Sequence, residues 1–174
     1  MNQNSVLMIC SLGQMIKKLL ILEPNIKRLR LSSLDPGVID DDLIDVIENE
    51  ERVMPHLHLS IQSGSDIILK RMKRRHRRED VISLCDQINR VRPEVTFGAD
   101  LITGFPTETD ELFDETVRLV ADSGLTYLHV FPFSPRPNTP AARMPQTDRI
   151  VIKRRAAVLR KVGDRSKFVY FNRL

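Results

Sequence analysis

The sequence predicts an α/β fold, a partial (βα) barrel of the TIM type with about four parallel βα units. Three observations lead there. Strand-like runs begin near residues 28, 56, 95 and 127, and each gap holds a helical pattern, the spacing of β-α-β crossovers. Each run ends in a loop rich in Ser, Gly, Pro, Asp or Thr, and in βα folds the chemistry sits on those carboxyl-end loops. The runs are also polar on one face. In the second, His56, His58, Ser60 and Gln62 point one way while Leu57, Leu59 and Ile61 point the other. A strand of a doubly wound sheet is apolar on both faces. The one-sided polar row therefore favours a lumen that is hydrated or holds a polar ligand. Arg28, Arg30 and Ser32 share a face of the first run, and Thr96, Gly98, Asp100 and Ile102 share one of the third.

The elements follow in order. Leu12, Met15, Ile16, Leu19 and Leu20, spaced three and four apart, predict a helix over 11–22, stopped by Pro24. A strand over 28–33 leads into an Asp-Pro-Gly turn, and Asp40–Asp42 open a helix running to about Glu51, acidic where the macrodipole favours it. A strand over 56–61 meets the polar turn Gln62–Ser65, which caps a helix to about Lys73; helical capping accounts for Ser63 and Ser65 as well as ligand binding does. A helix over 79–91 ends at Pro93, and a strand runs over 95–103. Gly104-Phe105-Pro106 breaks it, and Thr107 or Thr109 caps a helix through Gly124. The fourth strand covers 127–133, a proline-rich stretch 134–145, and a basic helix 148–162.

Composition bounds the function. With 174 residues and 41% apolar side chains the chain is one ordered domain. Its longest apolar runs, Val6–Cys10 and Leu19–Leu22, fall far short of the ~20 residues of a membrane span, and no basic residue precedes the first to make a signal peptide. Two cysteines, Cys10 and Cys85, make no disulfide framework, which fits a cytoplasmic setting. Charge is uneven. Residues 1–140 carry 17 Lys/Arg against 21 Asp/Glu, whereas 141–174 carry 10 against 2. A second basic cluster, Lys70–Arg78, has seven Lys/Arg in nine residues. Such clusters neutralise phosphates or form solvated helix faces. Four strands do not close a barrel, which takes about 250 residues in its eight-unit form. The open edges call for a partner or for further barrel units.

Single motifs leave alternatives open. His56 and His58, two apart on a strand, reach one metal ion or simply bond their lumen neighbours. The Gln62–Ser65 turn offers N–H groups and hydroxyls to a phosphate, ribose or carboxylate. Gly104 lets a ligand approach the backbone or serves only a turn. Arg136, in the stiff loop Ser134–Pro140, suits a carboxylate or phosphate, or is a surface arginine.

Together the segments are specific. RLRLSSLDP, PHLHLSIQSGSDIILKRMKRRH, GADLITGFPTETDELFDET and YLHVFPFSPRPNTPAARMP occur in this order and spacing. They resemble the second half of the radical S-adenosylmethionine (SAM) domain of tRNA methylthiotransferases, most of all the branch acting on threonylcarbamoyladenosine beside the anticodon. The resemblance covers residues 11–160. It implies the last four of six βα units, SAM as cofactor, tRNA as substrate, and 4Fe-4S clusters. It also implies that Ser60, Gln62, Ser63, Asp100, Ile102 and Gly104 border the SAM nucleoside, with Arg136 and His58 toward the substrate. The chain then divides into a leader (1–10), a partial radical SAM barrel (11–147) and a basic helical tail (148–174) ending where a TRAM domain would start.

Departures from the family qualify this. The family's CxxxCxxC loop is absent, Ser60 stands where it usually has Pro, and Asn138 where it usually has Gly. Without thiolates no cluster is held in the usual way. The expectation is a methylthiotransferase fragment, inactive alone, completed by a separately encoded N-terminal half or left as a remnant. The alternative is a non-catalytic module that binds RNA through its basic clusters.

Overall fold

The computed structural model describes residues 10–173. The leader expected over 1–10 therefore lies, apart from Cys10, outside the described residues. The elements run α1 (Leu12–Leu22), β1 (Leu29–Leu34), α2 (Asp41–Asn49), β2 (Val53–Gln62), α3 (Asp66–Arg71), α4 (Arg78–Val91), β3 (Thr96–Thr103), α5 (Asp110–Asp122), β4 (Leu125–Pro132) and α6 (Arg149–Phe171). The four strands form one parallel sheet in the order β1-β2-β3-β4, the partial βα barrel that the sequence predicts.

Local chemistry sets the helix starts. Ser11, Asp40, Thr109 and Asp148 each accept a backbone N–H from the first turn of the helix they precede. Between the two candidate caps of α5 the structure chooses Thr109. Thr107 instead sits at φ +74 and takes the Arg71 guanidinium on its hydroxyl. Amphipathic helices then cover the apolar face of the sheet. Leu57, Leu59 and Ile61 of β2 and Phe97, Ala99 and Leu101 of β3 share one buried cluster with Leu43 and Ile47 of α2, Val81 and Ile88 of α4, Leu119 of α5 and Leu159 of α6. Burying one such side chain is worth about 1.5–3 kcal/mol, so this face holds the sheet together.

Two boundaries differ from the sequence reading, each for a local reason. β2 starts three residues early, at Val53, because Pro55 falls where the β1–β2 register shifts and removes no needed ladder bond. α6 runs to Phe171 rather than 162. Gly163 does not end it but packs, its Cα so near Leu128 that a Cβ would stand 3.1 Å from that side chain. The first half of the stretch read as a basic tail lies on the sheet. Ile152, Ala156 and Leu159 are buried, and so is Arg155, which donates to Glu108 and Asp110. Phe168 and Phe171 stand exposed at its far end.

Candidate functional site

Backbone in the left-handed region gathers at the carboxyl ends of the strands. Ser33 (φ 55) lies near the end of β1, Gln62 (φ 74) ends β2, Gly104 (φ 75) follows β3, and Asn138 (φ 68) lies in the loop after β4. Non-glycine residues held there mark over-determined, often functional, turns. Asn138 is explained directly, because asparagine tolerates the conformation a glycine would otherwise supply. Ser60 falls between Leu59 and Gln62, where the β2–β3 register slips, the kind of position at which a strand also accepts proline.

Two cavities open on the polar face. The first, about 530 Å³, is lined by Gln62, Asp100 and Ile102 from β2 and β3, by Phe131 and Phe133, and by Arg136 and Thr139 from the loop after β4. The second, about 370 Å³, is lined by Arg30, Ser32, His56, His58, Asp100 and His129. Asp100 lines both. Its Oδ1 lies 2.8 Å from His58 Nε2 and 3.3 Å from His129 Nδ1. His56 contacts the Thr96 hydroxyl at 2.9 Å and the Tyr127 ring edge-on. Burial holds its pKa below the ordinary imidazole value, helped by the charges of His58, Arg30 and His129.

The structure brings together some residues singled out in the sequence and parts others. Gln62, Asp100, Ile102 and Arg136 meet at the first cavity, and His58 joins Asp100 in the second. Ser60 is half-buried on the same face and lines neither. Ser63 is fully buried, its hydroxyl taken by Thr116 and the Ser65 N–H. Of the two serines read as helix caps, only Ser63 accepts a backbone N–H; Ser65 makes no side-chain cap bond. Gly104 also turns inward. Its N–H donates to Glu108 Oε2 at 2.7 Å, and the group beside its Cα is Ile152 of α6. His129 was missed as a site residue. The signal is the alternation Tyr127, His129, Phe131, and only the β3–β4 register, pairing Asp100 with His129, makes it meaningful.

The radical SAM superfamily profile matches residues 10–120. The chain belongs to the radical SAM superfamily. A threonylcarbamoyladenosine tRNA methylthiotransferase (MtaB) of Rickettsia prowazekii is 54% identical over 161 residues, 92% of this chain and 38% of the relative. A tRNA-2-methylthio-N(6)-dimethylallyladenosine synthase of Ehrlichia chaffeensis is 40% identical over 134 residues, 77% of this chain and 30% of the relative. This radical SAM chain thus spans well under half the length of these curated relatives. Among solved structures, coproporphyrinogen III oxidase (HemN) of Escherichia coli, a radical SAM enzyme, superposes with a TM-score of 0.66 at 21% identity, covering 87% of this chain and 37% of that one, and so shares the fold.

The superfamily works with SAM and a 4Fe-4S cluster. The cluster does not fit the residues present. The sequence has two cysteines where three thiolates are needed, and Cys85 is buried in α4 with its thiol pushed up to about 12 by burial. SAM fits better. The first cavity joins an arginine suited to a carboxylate, polar Gln62 and Asp100, and an apolar wall of Ile102, Phe131 and Phe133. No helix among the described residues is long and apolar enough to cross a membrane.

Proposed function

We propose that this chain forms the SAM-binding wall of a cytoplasmic tRNA methylthiotransferase acting on threonylcarbamoyladenosine beside the anticodon. The observation that carries the reading is the meeting of Gln62, Asp100, Ile102 and Arg136 at one cavity on the carboxyl face of the sheet. Arg136 pairs a carboxylate through its planar fork. Asp100 and Gln62 hold ribose hydroxyls or ring nitrogens, and Ile102 lies against the adenine. The chain alone carries out no SAM cleavage, because thiolates for the cluster must come from another polypeptide, such as a separately encoded N-terminal half. Equilibrium dialysis of the purified chain with labelled SAM tests this. Saturable binding that excess ATP does not displace, weakened about tenfold or more by Arg136→Ala and Asp100→Asn, is expected. Binding unaltered in both variants would remove the assignment.

A second reading, RNA binding without chemistry, has its own support. Loop 72–77 reaches the strand ends on the cavity side: His76 contacts the Ile61 carbonyl and Asp35, and Arg74 also pairs with Asp35. Lys70, Arg71, Lys73, Arg75 and Arg77 are exposed there, beside the open lumen. The two readings are compatible, since a tRNA-modifying site needs phosphate contacts at its rim.

A further inference from the structure

We propose that His58, Asp100 and His129 form a binding site for one borderline divalent metal ion such as Zn²⁺, distinct from any iron–sulfur cluster. Three adjacent strands supply the three groups. Asp100 stands opposite His129 in the β3–β4 ladder, and His58 stands opposite Gly98 in the β2–β3 ladder. Gly98 is what seats the first ring: a Cβ there would lie 2.6 Å from His58 Nδ1. One potential ligand atom from each residue lies within 4.8 Å of the other two. Ligands about 2.1 Å from a tetrahedral ion stand about 3.4 Å from one another. The separations of 2.8 and 3.3 Å from Asp100 Oδ1 are those of ligands drawn together by a shared hydrogen bond, which an ion would replace with little movement. The His58 and His129 rings lie side by side, centroids 4.6 Å apart, which makes a two-nitrogen, one-oxygen donor set. Such a set suits Zn²⁺, Co²⁺ or Fe²⁺ over Mg²⁺ or Ca²⁺. The adjoining cavity leaves a coordination position open for water or a substrate oxygen, as in catalytic rather than structural sites. The inference stands apart from the nucleoside reading, with which it shares only Asp100.

The test uses tag-free full-length chain, stripped with chelator and titrated with Co²⁺, then with Zn²⁺ as competitor. One equivalent of Co²⁺ is expected, giving visible d–d bands that Zn²⁺ abolishes. His129→Ala and Asp100→Asn should each weaken binding about tenfold or more. His129 is 61% exposed, so its truncation leaves the packing of the sheet intact. Without any substitution, Zn²⁺ should also shift the ring-proton NMR signals of two histidines while His76, buried behind the loop, keeps its own. Absence of saturable binding, undiminished binding in His129→Ala, or a thiolate-to-cobalt charge-transfer band placing the ion on cysteine would each overturn the proposal.

Discussion

Gly104→Ala probes how the cavity face is tied to the last helix. Gly104 sits at φ +75, where an L side chain costs about 1–2 kcal/mol. A Cβ there would also overlap Ile152 Cγ1 and lie 3.0 Å from Ile152 Cβ, and such overpacking costs about 1–3 kcal/mol. Together the substitution should destabilise the chain by roughly 2–5 kcal/mol, a large share of a domain's total stability. Urea unfolding followed by circular dichroism measures it. A double-mutant cycle with Ile152→Ala separates the two causes: the overlap is relieved and the dihedral strain stays, so a coupling of about 1–3 kcal/mol is expected. A Gly104→Ala protein within about 0.5 kcal/mol of the parent would refute the reasoning and return Gly104 to a role toward ligand.

Arg155→Met leaves Glu108, whose side chain is fully buried, without its cation, and should cost about 3–5 kcal/mol in the same assay; adding Glu108→Met should recover much of it. Arg52 grips both Glu50 oxygens, at 2.7 and 2.6 Å, and holds that carboxyl at about 2 against the ordinary 4.5. A depressed acid adds stability above its unfolded pKa and loses it as pH falls through the folded one. Between pH 4.5 and 2 the parent should therefore lose stability that Glu50→Gln does not, by about 1 kcal/mol because the pair is partly in water. An anticodon stem-loop RNA should bind with affinity falling steeply between 50 and 200 mM salt, on the order of tenfold or more, and Lys70→Glu with Lys73→Glu should flatten that slope in fluorescence anisotropy. Affinity unchanged with salt would end the RNA-binding reading.

Much of the architecture was legible because it is periodic. The alternation His56, His58, Ser60, Gln62 against Leu57, Leu59, Ile61 gave the polar face directly, and these are the half-buried and buried positions of β2. Helix starts at Ser11 and Asp40 follow from capping chemistry that needs only neighbouring residues. What was not legible depends on contacts distant in sequence. A glycine after a strand serves ligand and packing alike, and only the return of α6 brings Ile152 onto Gly104. Counting charge cannot separate Arg155, buried on Glu108, from Arg154, exposed one residue earlier. His129 becomes a partner of Asp100 only through the β3–β4 register, which the strand sequences do not specify.

The central claim is that these four βα units fold and keep a SAM site without the cluster thiolates. A thermal melt of the purified chain, with and without SAM, tests both halves at once. The account predicts one cooperative transition whose midpoint rises with SAM concentration, because a ligand that binds only the folded state stabilises it by mass action. A cooperative melt that millimolar SAM leaves unmoved would contradict the site, and the absence of any cooperative transition would contradict the fold as a self-standing unit.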